Sequence, residues 1–161
     1  MRRFVTVGVS LLAMSGQALA ACPIELAIYA DRDGVAELNF SPVEGAAVTN
    51  RFKLLMQGGR VVDGHVLWIE DPERPLGLLM FDCPEGDVTG DEIAACTVWE
   101  GVIYAVDGKG SVRLMPGEGK DAPQTLVLPA LGPAIRHAPA FAPNGPSKLP
   151  GDVFTLAGCQ E

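Results

Sequence analysis

Ile24-Glu25-Leu26-Ala27-Ile28-Tyr29-Ala30, Asp31-Arg32-Asp33-Gly34, then Val35-Ala36-Glu37-Leu38-Asn39-Phe40: two alternating runs flank a polar segment. Apolar residues recur at every second position on both sides of a four-residue polar segment, the period of a strand with one buried face. Ile24, Leu26 and Ile28 fall on one side of the first run. In the second run Ala36, Leu38 and Phe40 oppose Glu37 and Asn39. Between them an Asp can hydrogen-bond its own backbone and Gly34 can adopt a positive φ, so the chain reverses. The stretch predicts a β-hairpin, ended by Ser41-Pro42.

The same rhythm continues downstream. Phe52, Leu54 and Met56 share a face before the turn signal Gly58-Gly59. Val61 to Ile69 predicts a strand interrupted at Asp63-Gly64, and Leu76 to Phe81 is apolar enough to predict a strand covered on both sides. Thr97 to Val106, with Val102, Tyr104 and Val106 in register, reverses through Asp107-Gly108-Lys109-Gly110 into Ser111 to Leu114. Thr125–Leu128 and Val153–Leu156 complete the set. Gly and Pro, 19 and 13 residues, punctuate these runs at short intervals.

Helix signals are few. Asp91–Ala95 predicts one turn capped by Thr89 or Asp91, and Leu131–His137 another with Pro133 in its first turn. Pro129 to Pro150 holds too many prolines for a central strand and predicts a strap laid over the sheet. The expected fold is therefore all-β: a small antiparallel barrel or sandwich of about eight short strands built from hairpins, with a proline-rich C-terminal strap.

Upstream of the first hairpin, Arg2 and Arg3 precede an uncharged apolar stretch from Phe4 to about Met14, and Ala18-Leu19-Ala20 supplies small residues for cleavage. This is the pattern of a secretory signal peptide over residues 1–20, followed by one extracytoplasmic domain over residues 21–161. The apolar stretch is shorter than the roughly twenty residues that span a bilayer. Leu19-Ala20-Ala21-Cys22 also fits a lipoprotein cleavage site, which would leave Cys22 as a lipid anchor. The cysteine count argues otherwise. Cys22, Cys83, Cys96 and Cys159 make an even set, expected to form two disulfides in an exported chain. The expected pattern is nested: Cys83–Cys96 around a short acidic loop, and Cys22–Cys159 joining the two ends. No CxxC and no neighbouring His argue for a zinc or redox site.

The formal charge is −8, and loss of Arg2 and Arg3 would take it to −10. Such a surface repels nucleic-acid phosphates, so no nucleic-acid partner is expected, and favours cationic ones. Motifs for metal-dependent proteolysis, phosphate binding, dinucleotide binding and an acyl-transfer nucleophile are all missing from the sequence, and no cofactor is implied. His65 and His137 are the only histidines. Glu70, Asp71 and Glu73, or Glu85, Asp87, Asp91 and Glu92, would be needed as acid and base in a carboxylate hydrolase. The same loops, and Asp31 to Gly34, offer oxygen ligands for calcium without the spacing of an EF-hand. Candidate ligand-binding residues are Trp68, Trp99 and Tyr104, on strands beside polar neighbours, and the cationic pair Arg136-His137 in the strap.

The expectation is a non-catalytic periplasmic or secreted binding protein, with a small ligand or a cationic protein as partner. Its sharper form is an inhibitor of a basic wall-degrading enzyme such as a lysozyme. The alternatives are a small hydrolase using carboxylates or His65, and an envelope-associated structural lipoprotein.

Overall fold

The computed structural model describes residues 21–44 and 48–161; the expected leader at residues 1–20 lies outside them. Ten strands follow in chain order: β1 Ala27–Asp31, β2 Ala36–Ser41, β3 Asn50–Met56, β4 Arg60–Glu70, β5 Glu73–Met80, β6 Thr97–Val102, β7 Tyr104–Val106, β8 Val112–Leu114, β9 Thr125–Val127 and β10 Val153–Cys159. Two short helices, α1 Gly90–Cys96 and α2 Leu131–His137, are the only α-helices among the described residues. Every ladder is antiparallel, in the order β6-β5-β4-β3-β2-β1-β10-β9-β7-β8. From β1 to β5 each strand pairs with the next in chain order.

Closure of the sheet depends on one residue. β6 ladders with β5, whereas β7 ladders with β9 and β8, so the single run Thr97–Val106 belongs to both ends of the sheet. Ile103 is the corner. Its amide donates to the Pro75 carbonyl (3.3 Å), and its carbonyl accepts from the Met115 amide (3.2 Å). The result is a nearly closed barrel that leaves few unpaired strand edges. Along this run Ile103 and Ala105 point inward, and Val102, Tyr104 and Val106 are the half-buried outer positions.

The interior is filled by Tyr29, Leu38, Phe40, Phe52, Leu54, Leu79, Leu126 and Phe154, all essentially inaccessible to solvent. Tyr29 meets Phe40 edge-on at 5.7 Å between centroids, and Phe40 meets Phe52 at 5.1 Å. The Tyr29 hydroxyl donates to the Pro123 carbonyl (2.9 Å), which satisfies its polar end inside the apolar interior.

Three local expectations are corrected. Ile24–Leu26 is a 3-10 turn that resets the phase of the first strand, so Ala27, Tyr29 and Asp31 face inward and Ile28 is only partly buried. Buried Asp31 is tolerated because its carboxylate accepts from the Val35 and Ala36 amides (2.6 and 3.0 Å) in the turn. β4 is not interrupted at Asp63-Gly64. It runs unbroken, and Gly64 exists to seat Phe52, whose ring would lie 2.5 Å from any Cβ added there. Finally, β5 is buried on one face only: Pro75, Gly77 and Leu79 point inward, while Leu76, Leu78 and Met80 are half-buried on the outer wall.

The helices form where the sequence signals are. Thr89 caps α1 in a reciprocal box with Glu92, and the Thr89 amide and hydroxyl, both donating to the Glu92 carboxylate, hold it below its ordinary pKa. α2 has no side-chain cap of its own, because Ala130 precedes it. Asp152 substitutes from across the chain, accepting from the Ala130 and Leu131 amides (2.9 and 3.1 Å). The strap packs over the barrel through Leu131, Ile135 and Phe141. It is latched by Arg60, whose guanidinium stacks on Phe141 (4.9 Å to the ring centre) and donates to the Asn144 carbonyl (3.0 Å).

The disulfides are Cys22–Cys159 and Cys83–Cys96. The first joins the two ends of the domain, where the Cys22 carbonyl also accepts from the Ala122 amide (2.7 Å) and the Gln160 amide donates to Leu26 (2.8 Å). Two disulfides fit an oxidising, extracytoplasmic compartment. No helix among the described residues is long and apolar enough to cross a membrane.

Candidate functional site

Because side chains fill the barrel, any ligand must be met on its outside. Two features of the outer surface stand apart. The first is the tip of the β4–β5 hairpin. The β3 ladder on β4 ends at Val66, and the β6 ladder on β5 ends at Leu76 with one more bond to the Pro75 carbonyl, so Leu67–Arg74 runs on as a two-stranded arm. Trp68 on this arm is 42% exposed, although its position is in phase with inward-facing Val62 and Val66. Glu70, Asp71, Pro72 and Glu73 at the tip are all exposed. An indole is thus exposed at the base of a hairpin arm whose tip carries three carboxylates.

The second feature is a groove of about 590 Å³ on the outer wall, running from Ser41 on β2 to the Asp82–Cys83 corner after β5. Ladder registers put its strand residues in two outward rows: Ser41, Arg51 and His65 in one, and Lys53, Asp63 and Met80 in the next. Lys53 and Asp63 pair at 3.3 Å with both side chains well exposed. Arg51 is held by Ser41 Oγ (3.3 Å) and the Pro42 carbonyl (3.2 Å). Arg51, Lys53 and Asp82 were not among the residues that the sequence motifs single out. The pattern Arg51-x-Lys53 opposite Asp63-x-His65 is their only signal, since alternate positions of a strand share a face.

The sequence candidates do not converge on one site. Trp99 is 3% exposed: its ring lies against Gly77 and Gly101, where an added Cβ would sit 2.8 and 2.7 Å from it, and its Nε1 donates to the Pro129 carbonyl (2.9 Å). It anchors the strap and offers no face to a ligand. Tyr104 is half-buried on β7 between Leu114 and Val127. Arg136 and His137 are exposed in the last turn of α2, where positive charge offsets the helix dipole, and they line a separate groove of about 320 Å³.

Nucleophilic chemistry at His65 is not supported by the register. Ser41 is separated from it by the whole of β3, and strands lie about 4.8 Å apart, so the pair is roughly 10 Å from strand to strand. Asp63, the nearest carboxylate on the same face, is engaged by Lys53. Of the other acids, Glu92 is committed to its cap and Asp31 to its turn. Among the described residues no group of three or more His, Cys, Asp or Glu side chains could hold a metal ion.

Comparison with protein-family models, with curated protein sequences and with solved structures finds no match to this chain.

Proposed function

We propose that this protein is an exported, non-catalytic interaction module that docks a basic partner protein through the β4–β5 arm. One observation carries the reading: Trp68 stands exposed on a projecting hairpin whose tip bears Glu70, Asp71 and Glu73. Tryptophan is a frequent anchor of protein interfaces, since a single ring buries a large apolar area at small entropic cost. Surrounding carboxylates add little to affinity by themselves. They steer a cationic surface into contact and select against acidic ones. The filled barrel supports the same reading, because it leaves the outer surface to do the work.

Export is part of the proposal. Cleavage after Ala20 would release a domain carrying −10, with Cys22 near its start. A cysteine sulfur joined to Cys159 cannot also carry a thioether lipid, which favours the soluble form over the lipoprotein. The partner class is a basic extracytoplasmic protein, with a wall-degrading enzyme such as a lysozyme as the first probe.

The test is interferometry with immobilised mature protein against lysozyme and against an acidic protein of similar size. The reading expects lysozyme to be retained at about 50 mM salt and released by about 500 mM, as surface charge is screened. Trp68→Ala should weaken binding at least tenfold, and Glu70→Gln/Glu73→Gln should slow association. Equal retention of the acidic protein, or lysozyme binding indifferent to Trp68→Ala, would overturn it.

A further inference from the structure

We infer that the outer-wall groove between β2 and the Asp82–Cys83 corner is a binding site for a small monocarboxylate with an apolar body. The groove is lined by none of the residues at the tip of the protein-docking arm.

Basic side chains are scarce in this acidic chain, yet Arg51, Lys53 and His65 occupy adjacent outward positions on β3 and β4. Arg51 and His65 are direct cross-strand partners, such Cβ atoms lie about 5 Å apart, and both side chains line the groove. The guanidinium is already positioned: two of its five donors are used on Ser41 and Pro42, and the rest of the fork remains to bind an anion. The His65 ring makes no hydrogen bond or ion pair among the described residues. Lys53 spends one donor on Asp63 and keeps two.

Charge then narrows the ligand. Lys53 and Asp63 neutralise one another, which leaves the permanent charge of Arg51 at one end of the groove and that of Asp82 at the other. One negative group is matched at Arg51; a dianion, or a second anionic group further along, meets Asp63 and Asp82. Between the ends Met80 supplies apolar surface. Asp82 itself sits at φ 53°, in the left-handed region that L residues other than Asn and Asp seldom adopt, and the adjoining Cys83–Cys96 disulfide ties this wall of the groove to α1.

The experiment is amide-resolved NMR titration of the disulfide-intact mature protein with three probes: octanoate, inorganic phosphate and octylamine. Octanoate should shift amides of residues 51–53, 63–65 and 80–83 in a saturable way, with smaller effects from the other two. Arg51→Gln should raise the octanoate Kd at least tenfold and Asp82→Asn should lower it. Lys109→Gln, which removes a cation from the distant β7–β8 turn, should leave it within twofold. Unchanged melting temperatures would show that the variants fold. Three outcomes would overturn the proposal: shifts scattered over the surface, phosphate or octylamine binding as well as octanoate, or an Arg51→Gln protein that binds like the parent.

Discussion

Replacing Gly64 by Ala tests the packing of the barrel at the point where the structure departs furthest from the local sequence signal. Gly64 sits mid-strand on β4 opposite Phe52, and its φ lies outside the left-handed region, so an alanine there incurs no backbone penalty. The entire effect is steric. A Cβ would lie 2.5 Å from Phe52 Cε2 and 2.6 Å from Cδ2 and Cζ, so the ring must retreat by roughly 1 Å to regain van der Waals contact. Phe40 blocks the retreat at 5.1 Å between centroids, and Tyr29 backs Phe40. Overpacking a filled core costs about 1–3 kcal/mol, and this site belongs at the top of that range. For residues 21–161 an unfolding entropy of about 2.1 cal/mol/K per residue totals ~0.3 kcal/mol/K, so a loss of ~3 kcal/mol lowers Tm by roughly 10 °C. Thermal unfolding followed by far-UV circular dichroism, with disulfides intact, measures it. Phe52→Leu removes Cε2 and Cζ and leaves at Cδ a methyl that can rotate about χ2 away from the added Cβ, at a cost of about 1–2 kcal/mol. The double variant should therefore be no less stable than Phe52→Leu alone, a coupling of ~3 kcal/mol that independent sites would not show. A Gly64→Ala protein within ~0.5 kcal/mol of the parent, or an additive double variant, would refute the reasoning.

Further expectations concern the ends, the strap and alkaline pH. Cys22→Ala/Cys159→Ala opens a closed loop with a sequence separation of 137, worth ~5 kcal/mol by chain entropy; Cys83→Ala/Cys96→Ala opens one of 13, worth ~3 kcal/mol. Denaturant titration should rank the pairs in that order. Asp152→Ala removes the remote cap of α2 and should cost about 1–2 kcal/mol, with protease cleavage rising within residues 129–150, while Asp152→Asn, which keeps an acceptor oxygen, should cost less. Burial pushes the Tyr29 hydroxyl far above its ordinary value of 10.0. A raised folded-state pKa means full stability below the unfolded value and progressive loss as pH climbs past it. Stability should thus fall above about pH 10, and phenolate absorbance from Tyr29 should appear only as the barrel unfolds, whereas Tyr29→Phe should blunt that alkaline loss.

Local chemistry was enough for much of this protein. Alternation at Leu38 and Phe40, and at Phe52, Leu54 and Met56, determined strands with one buried face, because side chains on a pleated strand point to opposite sides at every step. Thr89 with Glu92 determined the start of α1, since a cap needs only residues within one turn. Four cysteines determined that disulfides were available.

Tertiary structure decided the rest, wherever the answer depended on residues far apart in sequence. Trp68 and Trp99 read alike as strand tryptophans. One is exposed because its neighbours' ladders end before it, and the other is buried because Pro129 and two glycines close over it. Gly64 read as a break until Phe52, twelve positions earlier, supplied the ring that needs its space. Ile103 became a corner only when Pro75 and Met115 claimed its two backbone groups. The groove follows the same logic. Arg51, His65 and Asp82 lie on separate segments, and only the ladder registers put them on one wall. Periodicity along a chain is set by the backbone's own geometry, whereas the partner across a sheet is set by closing the barrel around its core.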